Sequence, residues 1–301
     1  AAMILISDSG STKTHWLLMT ANGHAQDFYT EGINPVLQSP AQIQTVIDHL
    51  LTQIGSLLWA GTVTHVFFYG AGCIPEKQPL VRDLLAQPFK HAHIEVASDM
   101  LGAARGLCQR EQGIACILGT GSGSCFYDGQ QIAATVPSLG YILGDEGSGA
   151  TLGKRLVGDV LKNQLPEPLK ETFLREYNLT QTIVIERVYR TPMANRFLAE
   201  LSQFCARHLS DPAIRQLVYD HFDAFVKRNL LQYLSAQRSF SAAVFQRSGL
   251  SISFVGSIAF YYKEVLETVL ADNHLTLGTI MKDPIEGLKM YHKQDIIPTQ
   301  L

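Results

Sequence analysis

Residues 114–127 read Ile-Ala-Cys-Ile-Leu-Gly-Thr-Gly-Ser-Gly-Ser-Cys-Phe-Tyr, and this stretch decides the fold. Ile114–Leu118 is an apolar run of strand length, Gly119–Gly123 is a glycine turn, and Ser124–Tyr127 is the returning strand. The same plan stands near the N-terminus. Met3–Ser7 is an apolar strand, Asp8-Ser9-Gly10-Ser11-Thr12-Lys13-Thr14 is a turn rich in glycine and hydroxyls, and His15–Met19 is its hairpin partner. Sequence identity between the two stretches is slight. The shared plan predicts two α/β halves of related architecture, with a boundary near Cys108–Gly113.

Each turn taken alone is an ordinary polar hairpin as readily as a ligand site. Glycine, however, leaves the backbone open to a polyanion, and neighbouring N–H groups and hydroxyls can point at phosphate oxygens. Gly10, Ser11 and Thr12, with the charge of Lys13, make one candidate phosphate loop, and Gly119, Thr120, Gly121 and Ser122 make the other. Asp8, at a strand end, is placed to hold Mg²⁺ through water. Neither loop has Walker spacing, and neither fits the dinucleotide fingerprint, because a strand follows each. Ser122 likewise lacks the strand-to-helix setting of a nucleophile elbow. Two such loops at matching junctions form the signal.

Between and beyond them the chain alternates strands and helices. Ser39-Pro40 supplies an N-cap and a first-turn proline, and Ile43, Val46, Ile47, Leu50, Leu51, Ile54, Leu57 and Leu58 keep helical spacing. Val63–Tyr69 and His93–Ala97 read as strands, Pro79–Ala86 and Asp99–Cys108 as helices. From Gly149 to about Leu234 the pattern is mainly helical. Phe197, Leu198, Leu201, Phe204, Cys205 and Leu209 share one amphipathic face; Ile214, Leu217, Val218, Phe222, Phe225 and Val226 share another. Strands are expected at Ala242–Gln246, Leu250–Val255 and Leu275–Met281, with helices from Gly256-Ser257 to Leu270 and over Pro284–His292.

Four further motifs have both a bland and a functional reading. Asp99, in Ser98-Asp99-Met100-Leu101-Gly102-Ala103-Ala104, is either a helix cap or a carboxylate facing a cleft. Gly144-Asp145-Glu146-Gly147-Ser148-Gly149 either caps the next helix or orders a substrate. Gly32-Ile33-Asn34-Pro35 is a constrained turn whose amide suits a hydroxylated ligand. Val255-Gly256-Ser257 is a tight turn that would let adenine or ribose approach backbone.

Composition narrows the partners. The 301 residues, long enough for two domains, are 46% hydrophobic and 17% charged with net charge −3, and no basic run favours nucleic acid or an anionic membrane. Cys73, Cys108, Cys116, Cys125 and Cys205 are five in number without C-x-x-C spacing, which predicts reduced thiols rather than disulfides or a zinc site. The ten histidines show no metal spacing, and His91 and His93 are expected to face solvent. The short apolar run before Asp8 does not fit a signal peptide, Ala1-Ala2 before Met3 reads as an expression remnant, and no run reaches the roughly 20 apolar residues of a membrane span. The expectation is a cytoplasmic protein.

In order, D-S-G-S-T-K-T, G-I-N-P, S-D-x-x-G-A-A, G-T-G-S-G-S, G-D-E-G-S-G and V-G-S resemble the sugar-kinase, Hsp70 and actin superfamily. The branch they resemble most is the BadF/BadG/BcrA/BcrD ATPase family, which includes N-acetylglucosamine kinases. The resemblance spans the chain and is strongest over 94–153. It implies two ribonuclease-H-like (actin-like ATPase) domains flanking a nucleotide cleft. These are 1–110 and 111–301, the second with a helical insertion over about 150–235 and a last helix that is a candidate to pack back on the first. It further implies ATP and Mg²⁺ as cofactors, with phosphates at Gly10–Thr12 and Gly119–Ser122 and adenosine at Gly256 and Ser257. Asp99 matches the general base, Asn34 and Asp145 match contacts to an amino sugar, and Gly70, Thr120 and Gly140 join that substrate set.

The implied activity is γ-phosphate transfer to the 6-hydroxyl of an N-acetylated amino sugar, N-acetylglucosamine first, by a protein with a homodimer as a candidate assembly. Related sugars such as N-acetylmuramic acid or glucosamine remain open. So do an ATPase that activates a partner dehydratase, though no cysteine pair for its iron–sulfur cluster is evident, and a non-catalytic sensor. Leu139 stands where close amino-sugar kinases often carry an aromatic residue, G-S replaces a double glycine at the adenosine turn, and the zinc cysteines of repressor-like ROK kinases are absent.

Overall fold

The computed structural model describes residues 3–55, 62–234 and 250–296. Leu57, Leu58 and the strand expected at Ala242–Gln246 lie outside the described residues. The chain divides into two compact units, the first built from residues 3–112, 127–132 and 283–296, the second from Gly113–Phe126 and the described residues of 133–282.

In the first unit β1 (Met3–Ser9), β2 (Lys13–Thr20), β3 (Ala25–Glu31), β4 (His65–Gly70) and β5 (His93–Ser98) form one sheet in the order β3-β2-β1-β4-β5. β1 to β3 are an antiparallel meander, and β4 and β5 continue parallel to β1. Side chains alternate across a strand, so β1 splits its apolar residues between two faces. Met3 and Leu5 pack with Trp16, Leu18, Val66 and Phe68 under the helix Pro40–Ile54, through Ile43, Val46, Ile47 and Leu50. Ile4 and Ile6 pack with Leu17, Met19, Phe67 and Tyr69 against Ile285 and Leu288 of the helix Ile285–Ile296. Both faces are covered, which explains why β1 reads as one unbroken apolar run.

The expected cap at Ser39 is a full capping box: Ser39 Oγ accepts from Gln42 N at 3.3 Å and Gln42 Oε1 accepts from Ser39 N at 2.8 Å. Gly55, at φ +87°, ends the helix in the left-handed region. Close approaches lock the last helix to Asp99–Cys108, for a Cβ on Gly287 would lie 2.1 Å from Gly106 O.

The second unit repeats the sheet. β6 (Gly113–Leu118), β7 (Ser122–Tyr127), β8 (Ile132–Thr135), β9 (Ser251–Val255) and β10 (Thr276–Met281) are ordered β10-β9-β6-β7-β8, with β9 parallel to β6 and to β10. Counted from its own first strand, each sheet has the order 3-2-1-4-5. The two ribonuclease-H-like plans implied by the resemblance are thus present. One core joins β6 and β9 to helices of residues 149–234, through Ile114, Cys116, Ile252 and Phe254 with Leu152, Leu198 and Phe222.

Several elements differ from expectation. β3 and β8 are additional strands, and the turn between β6 and β7 is shorter than Gly119–Gly123 because Ser122 and Gly123 already belong to β7. The helical face from Phe197 to Leu209 is broken at Ser202 into Ala194–Leu201 and Gln203–Arg207; Ser202 Oγ donates to Ala199 O at 2.6 Å. The helix expected from Gly256 to Leu270 breaks at Tyr262 (φ −109°, ψ 23°) into Ser257–Tyr261 and Lys263–Asp272. There the Tyr262 hydroxyl donates to Ser202 O at 2.7 Å, a buried tertiary bond that periodicity cannot report. All five cysteines are free thiols, and His91 and His93 are exposed. No helix among the described residues is long and apolar enough to cross a membrane.

Candidate functional site

In the first unit, the candidate residues gather at the carboxyl ends of the parallel strands, where open α/β sheets place ligands. Ser9, Gly70 and Ser98 are register partners across β1, β4 and β5, so Asp8, Gly70 and Asp99 cluster around one row of the sheet. The hairpin turn closes through Gly10 N, which donates to Lys13 O at 3.0 Å. Two buried hydroxyls anchor its base: Ser9 Oγ accepts from Ile33 N at 2.9 Å, and Thr14 Oγ1 donates to Glu31 O at 2.9 Å. Lys13 is exposed, with Nζ 5.9 Å from the Tyr29 ring centroid.

Two glycines bring Asn34 to this turn. A Cβ on Gly32 would meet Gly10 O at 2.4 Å, and one on Gly72 (φ +72°) would meet Asn34 Oδ1 at 2.0 Å. Asn34 Oδ1 accepts from Val36 N at 3.0 Å, while its Nδ2 donates to no described residue. The plain-turn and ligand readings of Asn34 are therefore compatible.

Ser98, rather than Asp99, caps the helix Asp99–Cys108: Ser98 Oγ accepts from Leu101 N at 3.2 Å. The half-buried Asp99 carboxylate accepts from Met100 N at 2.9 Å, and burial raises its proton affinity. Asp8 is also half-buried. Burial first, then the Asp99 and Asp283 carboxylates, push it up to about 7, against opposing pulls from His15 and Lys13.

Asp283 and His15 were not singled out from the sequence. His15 faces Asp8 across β1 and β2 and bonds Asp27 through Nε2 at 2.7 Å; its Nδ1 lies 3.7 Å from Asp283 Oδ2. Asp283-Pro284 carries only the signal of a helix start, and its place beside β2 depends on how the last helix docks. Three carboxylates converging on one strand end favour a cation there. No group of three or more His, Cys, Asp or Glu among the described residues could hold a metal directly. This donor set fits a hydrated Mg²⁺ held through water better than a bare ion.

In the second unit the glycine loop sits on a helix start. Gly119 O accepts from Gly149 N at 2.7 Å and Thr120 O from Ala150 N at 3.1 Å, while Ser148 Oγ caps the same helix, Gly149–Leu161, through Thr151 N at 3.1 Å. The carbonyls are thereby engaged. The N–H groups of Thr120 and Gly121 have no partner among the described residues. A Cβ on Gly119 would meet nothing within 4 Å, so the fold itself does not require glycine there. The opening is the kind of cradle a phosphate oxygen fills.

Gly256 (φ +123°) approaches the loop from β9, for a Cβ on it would lie 2.3 Å from Leu118 O. Ser257 starts the following helix. Asp145 is buried and its Oδ1 accepts from Ser122 N at 3.2 Å, so this acid serves the glycine loop while Ser148 caps the helix. Glu146 instead pairs with Arg228 at 2.5 Å. Gly140 opens the single turn Gly140–Leu143 and is tied towards Asp145 by Asp145 N donating to Ser138 O at 2.8 Å. Leu139, at φ +65°, exposes 61% of its surface.

No protein-family model matches the chain, and no curated protein matches it. Among solved structures, a Porphyromonas gingivalis protein bearing the provisional name N-acetylglucosamine kinase shares 48% identity at TM-score 0.90, over 98% of this chain and 100% of its own. The chain belongs to the actin-fold sugar-kinase family. A Chromobacterium violaceum protein with the same provisional name aligns at 17% identity and TM-score 0.68, over 96% of this chain and 98% of its own. Ethanolamine utilization protein EutJ from Carboxydothermus hydrogenoformans aligns at 13% and 0.50, over 96% and 88%. At those identities the last two speak to fold alone.

Proposed function

We propose that this sugar kinase transfers the γ-phosphate of ATP to the 6-hydroxyl of an N-acetylated amino sugar, with N-acetylglucosamine as the preferred acceptor. The observation that carries the reading is the Asp99 carboxylate, relieved of capping by Ser98 and held beside Asp8 at the carboxyl end of the sheet. The 48% identical Porphyromonas gingivalis relative supports the choice of sugar.

Phosphoryl transfer asks the protein mainly to position groups and neutralise charge. Asp99 takes the proton from the attacking hydroxyl, and its raised proton affinity improves it as a base near neutral pH. Asn34 presents an amide, with Nδ2 as donor, to the sugar hydroxyls or acetamide; Asp145 accepts from a hydroxyl; Gly70, Thr120 and Gly140 let the sugar approach backbone. Gly10, Ser11, Thr12 and Lys13 form one phosphate-binding loop, and Gly119, Thr120, Gly121 and Ser122 form a second. Gly256 and Ser257 seat the adenosine. Asp8 would hold a hydrated Mg²⁺ through water. The ion, when bound, supplies charge neutralisation on the phosphates.

The test is an ADP-release assay across N-acetylglucosamine, N-acetylmuramic acid, N-acetylmannosamine, glucosamine and glucose, with the product's phosphorylated oxygen located by NMR. Fastest release with N-acetylglucosamine and a 6-phosphate product is expected. ADP release indifferent to every sugar would replace this reading with that of an ATPase.

A further inference from the structure

The hydrogen bond from Ser122 N to Asp145 Oδ1 links two residues to which the sugar-kinase reading gives separate duties. Asp145 lies in the left-handed region at φ +58°, which few non-glycine residues adopt, and its surroundings hold it there. Those surroundings are on both sides of its backbone. Asp145 N donates to Ser138 O at 2.8 Å, and Asp145 O accepts from Ser148 N at 3.0 Å. A Cβ on Gly121 would lie 3.3 Å from Asp145 Oδ2, so a side chain there would crowd the carboxylate.

A carboxylate has about four lone-pair sites on two oxygens. Oδ1 can keep the Ser122 N–H while Oδ2 accepts from a sugar hydroxyl. We propose that Asp145 is a positioning residue for the second phosphate loop, so that sugar occupancy is transmitted to the nucleotide through the Ser122 amide. The proposal rests on the sugar-kinase reading for its second half only. Its first half, that Asp145 orders the loop for phosphate, holds whichever sugar is used.

The geometry assigns the effect to the acceptor oxygen. Asn keeps an Oδ1 acceptor at this position and loses the charge, whereas Ala loses both. Affinity for a non-hydrolysable ATP analogue with Mg²⁺, measured by calorimetry without sugar, should fall about tenfold in Asp145→Ala, the scale of one hydrogen bond to a charged group. It should stay within about twofold of wild type in Asp145→Asn, while both variants raise the KM for sugar. A change that merely loosened the fold would not be rescued by Asn in the nucleotide arm alone.

Wild-type affinity in Asp145→Ala overturns the proposal, and so does an equal loss in both variants. Should the alanine variant fail to fold, amide exchange on the ligand-free wild type decides. The Ser122 N–H should exchange more slowly than those of Thr120 and Gly121, and equal rates overturn the proposal. Failure of the sugar assignment would appear separately, as no turnover with N-acetylglucosamine while the nucleotide arm behaves as expected.

Discussion

The carboxylates of Asp8 and Asp99 lie near the ends of β1 and β5, with β4 between them, and the charge of Asp99 raises the proton affinity of Asp8. Two acids held this way repel each other unless a proton or a cation stands between them. A kinase can use both. In the proposed mechanism one carboxylate would serve a hydrated metal and the other would deprotonate the acceptor hydroxyl.

Asp99→Asn separates those duties. The variant keeps the volume and an Oδ1 acceptor for Met100 N, so it should fold with a melting temperature near wild type. It should bind the ATP analogue, and its kcat should fall by roughly 10²–10⁴-fold, the usual contribution of a general base. Single-turnover phosphate transfer measures this. A kcat within threefold of wild type would remove Asp99 from the chemistry.

The proton affinity of Asp8 has a consequence for stability. Its ordinary value of 3.8 is raised to about 7 by burial and by Asp99 and Asp283. Between those values the folded chain holds a proton that the unfolded chain has released, so the ligand-free fold loses stability as pH rises from about 4 to about 7. The raised proton affinity of His15 acts in the same direction above about pH 6.5, and the lowered one of Asp283 acts only below this window. Cation binding should relieve the repulsion. The thermal shift produced by Mg²⁺ is expected to be larger at pH 8 than at pH 6 and to vanish in Asp8→Asn. A shift independent of pH in the wild type would contradict this placement of charge.

Most of this site was legible in the sequence because it is built from local motifs. Gly10–Lys13 and Gly119–Ser122 follow apolar strands within a few residues, and the cap at Ser39 is read from Ser-Pro-x-Gln alone. What was missed is tertiary. Asp283 reaches His15 only because Gly106 and Gly287 let two helices approach closely, and nothing near Asp283 in the chain announces it. β3, with the polar sequence Ala-Gln-Asp-Phe-Tyr-Thr-Glu, lacks an apolar run because it is an edge strand buried at only two of its seven residues. The breaks at Ser202 and Tyr262 share one hydrogen bond between distant residues, invisible to a periodicity scan.

The last helix should be the acid-sensitive part of the first unit. His292 is buried; its Nε2 lies 2.7 Å from the Tyr69 hydroxyl, its Nδ1 2.8 Å from Asp295 Oδ2, and its ring stacks on Phe67 at 3.7 Å. Burial lowers its proton affinity from 6.5 to about 4, against the pull of Asp295. The unfolded chain therefore takes up the proton first, and stability falls as pH drops from about 6.5 towards 4. His292→Leu should cost about 1–3 kcal/mol at pH 7 by leaving Tyr69 and Asp295 short of a partner. The same variant should flatten the acid limb of the stability profile. Chemical denaturation at pH 5 and pH 7 tests both, and an unchanged slope between them would rule out His292 as the titrating group.

Two glycines at matched strand ends should behave in opposite ways. A Cβ on Gly119 meets nothing within 4 Å, and its φ lies outside the left-handed region. Gly119→Ala should therefore leave the melting temperature nearly unchanged while raising the KM for ATP, because the methyl group occupies space assigned to a phosphate oxygen. Gly256 has φ +123° and would place its Cβ 2.3 Å from Leu118 O. Gly256→Ala forces backbone to move and should cost about 2–4 kcal/mol, the scale of strain and overpacking together. Thermal denaturation and ATP titration of the two variants give a two-by-two result. If Gly119→Ala lost stability and kept its KM for ATP, the glycine there would serve the fold, and the phosphate reading of that loop would fail.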